Sequence, residues 1–270
     1  MNYLIYLFLG VLQGITEPLP ISSSGHLFLF KNLFNTNMFN DLNFEIVVNF
    51  GSFIAIFFIF YKDIIMLIKS FFNFILKKED KKKYANNFRY CMLIIIGTLP
   101  VGIAGIFLKD FIEETLARTW ILGICFIITA ISLFLVKNIK GNKDDYDITY
   151  KDALIIGLFQ VIALTPGISR SGSVLVACLL CNLKRDTALK YTFMLYFPVS
   201  IASMILGIKD LIEVSNLSSL IFPYTLGMIA AGIVTYFSYQ WLSDWVKKGK
   251  LWKFSIYCLL LGIFVLIYFR

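Results

Sequence analysis

The stretch from Gln13 to His26, QGITEPLPISSSGH, has a second copy 147 residues further along the chain. Gly10, Gln13, Ile15, Ile21, Ser22, Ser24 and Gly25 recur as Gly157, Gln160, Ile162, Ile168, Ser169, Ser171 and Gly172 without a gap. Isoleucine matches arise by chance in so apolar a chain, but the glutamine, serine and glycine columns do not come from that pool. The same offset carries Phe44, Phe50, Ile54 and Ala55 onto Tyr191, Phe197, Ile201 and Ala202. A chain duplicated in this way is constrained to build one plan twice. Repeats over 1–140 and 148–270 are predicted within a single domain, 1–270.

Each copy sets Pro, Gly, Ser and ionisable residues inside apolar sequence. With 59% hydrophobic and 16% charged residues and a mean hydropathy of +0.78, the chain exceeds what a soluble domain needs and is predicted to be an all-α, polytopic membrane protein. The net charge of +8 does not indicate nucleic acid, because the basic residues lie between apolar runs rather than on one amphipathic surface. The first twenty residues lack a basic n-region and a small-residue cleavage site, so no signal peptide is expected. Five cysteines, all in apolar runs, give no disulfide framework.

Residues 1–34 are apolar but broken at Pro18 to Gly25, which leaves two pieces shorter than the roughly 20 residues of a spanning helix. Broken backbone at membrane depth survives only where protein or a water-filled cavity covers it, so a re-entrant hairpin of two half-helices is predicted. A span follows at 42–61, then a basic loop at 62–89 whose amphipathic start is predicted to lie in the interface. Further spans are predicted at 90–108 and 119–137, separated by the short loop KDFIEETLAR. The polar connector KNIKGNKDDYDITYK is the candidate linker between repeats. A second broken segment covers 152–183, interrupted at Thr165 to Gly172, with spans at 188–208, 220–241 and 254–269.

Three full crossings separate the start of one repeat from the next, and a re-entrant hairpin returns to the side it entered. Three is odd, so the second repeat is predicted to be inverted, as in many transporters whose sites lie where repeats meet. This threading puts nineteen Lys and Arg residues on one side and five on the other, with Arg170 inside the membrane. The excess marks the cytoplasmic side, so both termini and the site are predicted to face outside, with the hairpin tips meeting in the bilayer.

In the second tip, TPGISRSGS, Gly167 and Gly172 permit unusual dihedrals, and Ser169 and Ser171 can cap the half-helix starting near Ser171. Its amide groups and positive end suit a phosphate, and Arg170 adds a planar fork of donors. The competing reading of Arg170 is a structural pair with Glu17. In the first tip, Glu17 is a base or metal ligand, Ser22, Ser23 and Ser24 are hydroxyl groups, and His26 is a titrating imidazole in the first helical turn. Singly, these are ordinary caps and satisfied polar groups; together they suit phosphoryl transfer. His26 is the only histidine, which excludes a histidine-based metal cluster. Gln13 and Gln160 precede the breaks by one turn and can satisfy freed backbone or face the cavity. Glu45, at a span's start, is expected at the interface, the alternative being a place lining the site.

These motifs resemble the undecaprenyl-diphosphate phosphatase family, the bacitracin-resistance membrane phosphatases. One family signature is similar to Gln13, Glu17, Ser22, Ser23, Ser24, Gly25 and His26, and a second, PGxSRSxxT, to Pro166, Gly167, Ser169, Arg170 and Ser171. A weaker match at Phe44 to Ser52 and Gly97 to Pro100 extends the likeness over nearly the whole chain. The resemblance implies hydrolysis of a polyprenyl diphosphate to the monophosphate carrier, aided by a divalent cation such as Mg²⁺. It implies Glu17 as metal ligand or base with Gln13 as a second ligand, Ser23 as candidate nucleophile, with His26 or water as the alternatives, His26 as acid/base and Arg170 as diphosphate clamp, with Ser22, Ser24, Gly167, Ser169, Ser171 and Gly172 around the substrate. Val174 replaces the signature's final Thr, and Gln13 is its less acidic variant. The alternatives are a carrier that moves a polyprenyl phosphate or another anion without cleaving it, and a protein that only binds the lipid. A homodimer is compatible with the sequence.

Overall fold

The computed structural model describes residues 3–34, 42–76, 81–108, 111–116, 118–212 and 217–269. Lys77, Lys78, Lys109 and Arg270 of the charge count, with part of the loop at 109–118, lie outside the described residues. Among those described, ten α-helices and one π-helical turn, Ile112–Leu116, carry the fold, and no β-strand forms. Two short helices, α1 (Tyr3–Thr16) and α2 (Ser23–Phe34), precede three long ones, α3 (Leu42–Leu76), α4 (Lys81–Phe107) and α5 (Thr119–Val136). The order then recurs: short α6 (Tyr150–Ile162) and α7 (Arg170–Leu180), then long α8 (Arg185–Ile212), α9 (Leu217–Lys247) and α10 (Leu251–Tyr268).

The six long helices are apolar and long enough to cross a membrane. At ~1.5 Å per residue, the 14 residues of α1 reach only about 21 Å, short of a hydrocarbon core of roughly 30 Å. The chain is a multi-pass membrane protein in which α1, α2, α6 and α7 are too short to cross. They stop at Pro18 and Pro20 and at Pro166 and Gly167, where the sequence denies helical hydrogen bonding.

The segment 62–89 departs from the predicted loop. Helix α3 runs unbroken through Tyr61 to Leu76, and α4 already begins at Lys81. No glycine or proline lies between Ser52 and Leu76 to stop it. Within 62–76, Phe71 and Phe74 stack on Phe88 of α4 and Asn87 donates to Ser70 Oγ at 3.0 Å, while Ile68, Phe72, Ile75 and Leu76 stay exposed.

Close backbone seams set the helix pairs. A Cβ on Gly10 would meet Gly227 O at 2.3 Å, and one on Gly157 would meet Gly97 O at 2.5 Å. Helix α1 therefore seats on α9, and α6 on α4, at the separations that small residues allow in membrane bundles. Helix α7 is the pillar of the core, with Val174, Leu175, Val176, Ala177, Cys178 and Leu179 all buried.

The connector is tied down rather than loose. Arg185 donates to the carbonyls of Lys137 and Ile139, Arg89 donates to those of Tyr146 and Ile148, and Lys143 pairs with Leu183 in an isolated bridge. Thr149 and Asp152 form a reciprocal capping box at the start of α6, and Lys143 Nζ sits 2.8 Å from Asp152 Oδ2. Burial pushes the Asp152 carboxyl up, but the hydrogen bonds from Lys143 and Thr149 outweigh it and hold it below the ordinary value.

Candidate active site

The two breaks meet. A Cβ on Gly25 would lie 2.9 Å from Gly167 Cα, one on Gly172 would lie 3.2 Å from Pro20 Cβ, and Ser171 Oγ donates to Leu19 O at 3.1 Å. Each tip carries a residue in the left-handed region, Ser22 at φ 70° and Gly167 at φ 94°. Glycine adopts this conformation freely; serine does so at a cost, and such outliers cluster at functional loops. Ser22 Oγ accepts from Gly25 N at 3.3 Å and so caps α2. Ser169 Oγ accepts from Gly172 N at 3.0 Å and caps α7, which begins at Arg170, one residue before the expected start.

A narrow recess opens where the tips meet. Glu17, Ser22, Ser23 and Ser24 line it from the first tip, and Ser169, Arg170 and Ser171 from the second. Glu17 Oε2 accepts from Ser23 Oγ at 2.5 Å and from Gln13 Nε2 at 2.9 Å. A serine held this tightly by a carboxylate has both a proton acceptor and a fixed rotamer. Arg170 is half-buried, and its guanidinium lies 6.0 Å from the centroid of the Tyr196 ring. Among the described residues, Arg170 and Glu17 do not close to an ion pair within 4.0 Å. The guanidinium thus keeps donors for a ligand, beside the positive end of α7.

Not every predicted residue lines this recess. His26 is 2% exposed and sits behind the tip, its Nδ1 2.7 Å from Ser22 O and its Nε2 2.7 Å from Tyr257 Oη. Since a carbonyl only accepts, Nδ1 carries the proton and Nε2 accepts from Tyr257. Gly167 and Gly172 shape the tip's backbone. Gln160 lines the recess and donates to Gly97 O at 2.9 Å.

Gln13 Nε2 also donates to Asn49 Oδ1 at 2.6 Å, while Gln13 Oε1 is buried without a partner. The orphaned oxygen, on a side chain whose Nε2 bonds Glu17, is of the type that a hard, oxygen-seeking cation takes. Among the described residues, no cluster of three His, Cys, Asp or Glu side chains could hold a metal alone.

Sequence reasoning passed over Asn49, Thr192 and Tyr196. Thr192 and Tyr196 line the recess, and Glu45, expected at the interface, lies near enough to interact with Glu17, Lys31 and Arg170. The repeat held the signal: the 147-residue offset places Glu45 on Thr192 and Asn49 on Tyr196. In each repeat these positions are one helical turn apart and flank the tip.

Fold and site together define a class: a polytopic helical membrane protein with a recess bearing serines, a carboxylate and an arginine between two breaks in its helices. The family model described as "Bacitracin resistance protein BacA" matches residues 6–264. The chain is 41% identical over 263 residues to Undecaprenyl-diphosphatase 2 of Bacillus thuringiensis (strain Al Hakam), covering 97% of this chain and 96% of that protein. It is 42% identical over 265 residues to Undecaprenyl-diphosphatase of Oceanobacillus iheyensis, covering 97% and 95%. The chain belongs to the bacitracin resistance protein BacA family.

Proposed function

We propose that this protein is an integral membrane phosphatase that hydrolyses undecaprenyl diphosphate to undecaprenyl phosphate and phosphate. It thereby recycles the lipid carrier for cell-wall synthesis and confers bacitracin resistance. The observation that carries this reading is the Ser23–Glu17 hydrogen bond at 2.5 Å in a recess shared with Arg170. A carrier that only moved an anion would need the arginine but not an activated hydroxyl.

Ser23 Oγ attacks the terminal phosphorus and gives its proton to Glu17. The bridging P–O bond breaks, its electron pair stays with the lipid monophosphate, and Glu17 passes the proton to that leaving group. Water then cleaves the phosphoserine: Glu17 takes its proton and returns it to Ser23 Oγ, and phosphate departs. Arg170 and the amide groups opening α7 hold the charge on the transferring phosphoryl oxygens throughout. Glu17 and Gln13 Oε1 are the residues that would hold Mg²⁺. Such an ion supplies charge neutralisation to the diphosphate. His26, bonded to Ser22 O and stacked on Tyr257, holds the backbone that presents Ser23.

The recurring order of two short and three long helices supports reading 1–140 and 148–270 as repeats, inverted by the odd number of crossings. The nineteen-to-five asymmetry of basic residues supports both termini and the site facing outside. The test is phosphate release from undecaprenyl diphosphate by purified protein, with Mg²⁺ or chelator, in wild type and Arg170→Ala. Release that needs both the ion and Arg170 is the expected result. Intact wild type that binds the lipid but releases no phosphate would overturn the reading.

A further inference from the structure

Ser22, at φ 70°, is the strained residue of the first tip, and one residue supplies two donors to its carbonyl. The ring Nδ1–H of His26 donates to Ser22 O at 2.7 Å, and the backbone N–H of His26 donates to it at 3.2 Å. Ser22 directly precedes Ser23, so whatever holds that carbonyl holds the peptide plane from which Ser23 projects. Among the described side chains of α2, only those of His26 and Leu29 are buried. An imidazole and one leucine therefore anchor this half-helix.

A buried imidazole grips well only while both its nitrogens are matched, because the hydrogen bond at one decides what the other can do. Nε2 lies 2.7 Å from Tyr257 Oη, whose hydroxyl donates to it and leaves the proton on Nδ1, facing the carbonyl. The Tyr257 ring lies parallel to the imidazole at 5.7 Å, and Phe126 meets the imidazole edge-on at 5.4 Å. Tyr257 belongs to α10 and Phe126 to α5, and these helices touch at their backbones: a Cβ on Gly262 would lie 2.8 Å from Gly123 O. The same stretch of α5 stands behind the second tip. A Cβ on Gly167 would meet Leu122 Cδ1 and Cys125 Cβ at 2.8 Å, and Thr129 Oγ1 donates to Gly167 O at 3.4 Å. One pair of helices thus backs both tips.

We propose that Tyr257 is a positioning residue for the reaction: its hydroxyl locks His26 with the proton on Nδ1, and through His26 it ties the first tip to the α5–α10 frame that also backs the second, which fixes Ser23 against Arg170. The assignment rests on the hydrolase reading and deepens it. Neither Tyr257 nor His26 lines the recess, and with both ring nitrogens engaged in the fold, proton transfer is left to Glu17. Without the tyrosine hydroxyl, Nε2 becomes a buried acceptor with no partner. The ring relieves that cost by turning or by drawing in water, and either way the hold of Nδ1–H on Ser22 O loosens.

The test is Tyr257→Phe in the full-length protein, which keeps the ring stack and removes only the donor. His26 is the only histidine, so histidine-selective ¹⁵N labelling of protein purified through a histidine-free tag reports this one ring. Wild type should show an unprotonated Nε2 and a protonated Nδ1 whose proton exchanges slowly with solvent. In Tyr257→Phe that proton and the His26 amide should exchange at least about tenfold faster. For phosphate release from undecaprenyl diphosphate, kcat should fall about tenfold with KM within about twofold, because the recess stays intact while Ser23 drifts. Ser255→Ala is the control. It removes the buried bond from Ser255 Oγ of α10 to Ala130 O of α5, at 2.7 Å, without touching His26, so it should lower Tm yet leave kcat and the His26 exchange at wild-type values. Wild-type exchange in Tyr257→Phe would overturn the proposal, and so would a fall in kcat no larger than that of Ser255→Ala. Should wild type release no phosphate, the hydrolase reading fails by itself, and the exchange measurements still decide whether Tyr257 holds the tip.

Discussion

Gly25→Ala tests whether the contact between the tips sets the chemistry. A Cβ at Gly25 would lie 2.9 Å from Gly167 Cα, 2.9 Å from Phe126 Cζ and 3.0 Å from Ser22 Oγ. Ordinary contact begins at 3.4 Å, so the tips must part by 3.4 − 2.9 = 0.5 Å. Gly167 cannot recede: a Cβ placed on it would itself meet Cys125 Cβ and Leu122 Cδ1 at 2.8 Å, so α5 stands directly behind it. The first tip must move instead, carrying Ser22 and Ser23 away from Arg170. Overpacking of this kind costs about 1–3 kcal/mol of stability. Displacing a nucleophile from its target by a fraction of an ångström to an ångström lowers turnover by roughly 10- to 100-fold. The assay is kcat and KM for phosphate release alongside Tm in the same detergent. Gly102→Ala is the control, since nothing lies within 4 Å of its would-be Cβ on α4, and it should match wild type or gain slightly in Tm. Wild-type kcat and Tm in Gly25→Ala would refute the reasoning, because the tips would then not be held at the separation that the chemistry needs.

Ser23→Ala removes the hydroxyl that donates to Glu17 and should cut phosphate release by about 1,000-fold or more while leaving undecaprenyl phosphate binding intact; steady-state release and a lipid-binding titration check the two halves. The Asp152 capping box should make stability depend on pH. The folded carboxyl titrates below the unfolded value of 3.8, so the unfolded chain binds more protons across that interval; the contribution is present above pH 3.8 and lost as pH falls through the folded value. Thermal unfolding of wild type against Asp152→Asn, from pH 7 downwards, should show a difference that narrows at the acid end.

The plan of long and short helices was legible in the sequence because crossing a bilayer leaves few options. A span must be long and apolar, and a break must be covered, so the spacing of Pro18, Pro20 and Pro166 within apolar runs fixes where helices stop. Segment 62–76 escaped the same logic because its Lys and Asp residues read as the end of a span, whereas helicity needs only an unbroken ladder and a packing partner, which Phe88 and Asn87 supply from α4. The site was legible as far as local motifs reach: both tips, with Glu17, Ser23 and Arg170, could be read from their own stretches. What joins them comes from elsewhere. Asn49 bonds Gln13, and Tyr196 sits beside Arg170, yet each lies on a long helix where a single polar or aromatic residue signals nothing. His26 shows the converse. Its motif suggested a group in the recess, but a histidine four residues after Ser22 lies one turn along α2, and its ring turns back to the Ser22 carbonyl and Tyr257. Tyr257 is supplied by α10, 231 residues away, and no local pattern could have announced it. Recurrence does better than motif here: the offset that aligned the tips also aligned Asn49 with Tyr196, and both line polar recesses beside Glu17 and Arg170, one from α3 and one from α8. A duplicated chain that meets itself at its breaks brings equivalent columns together in space, so in such a protein the column, more than the residue type, marks the site.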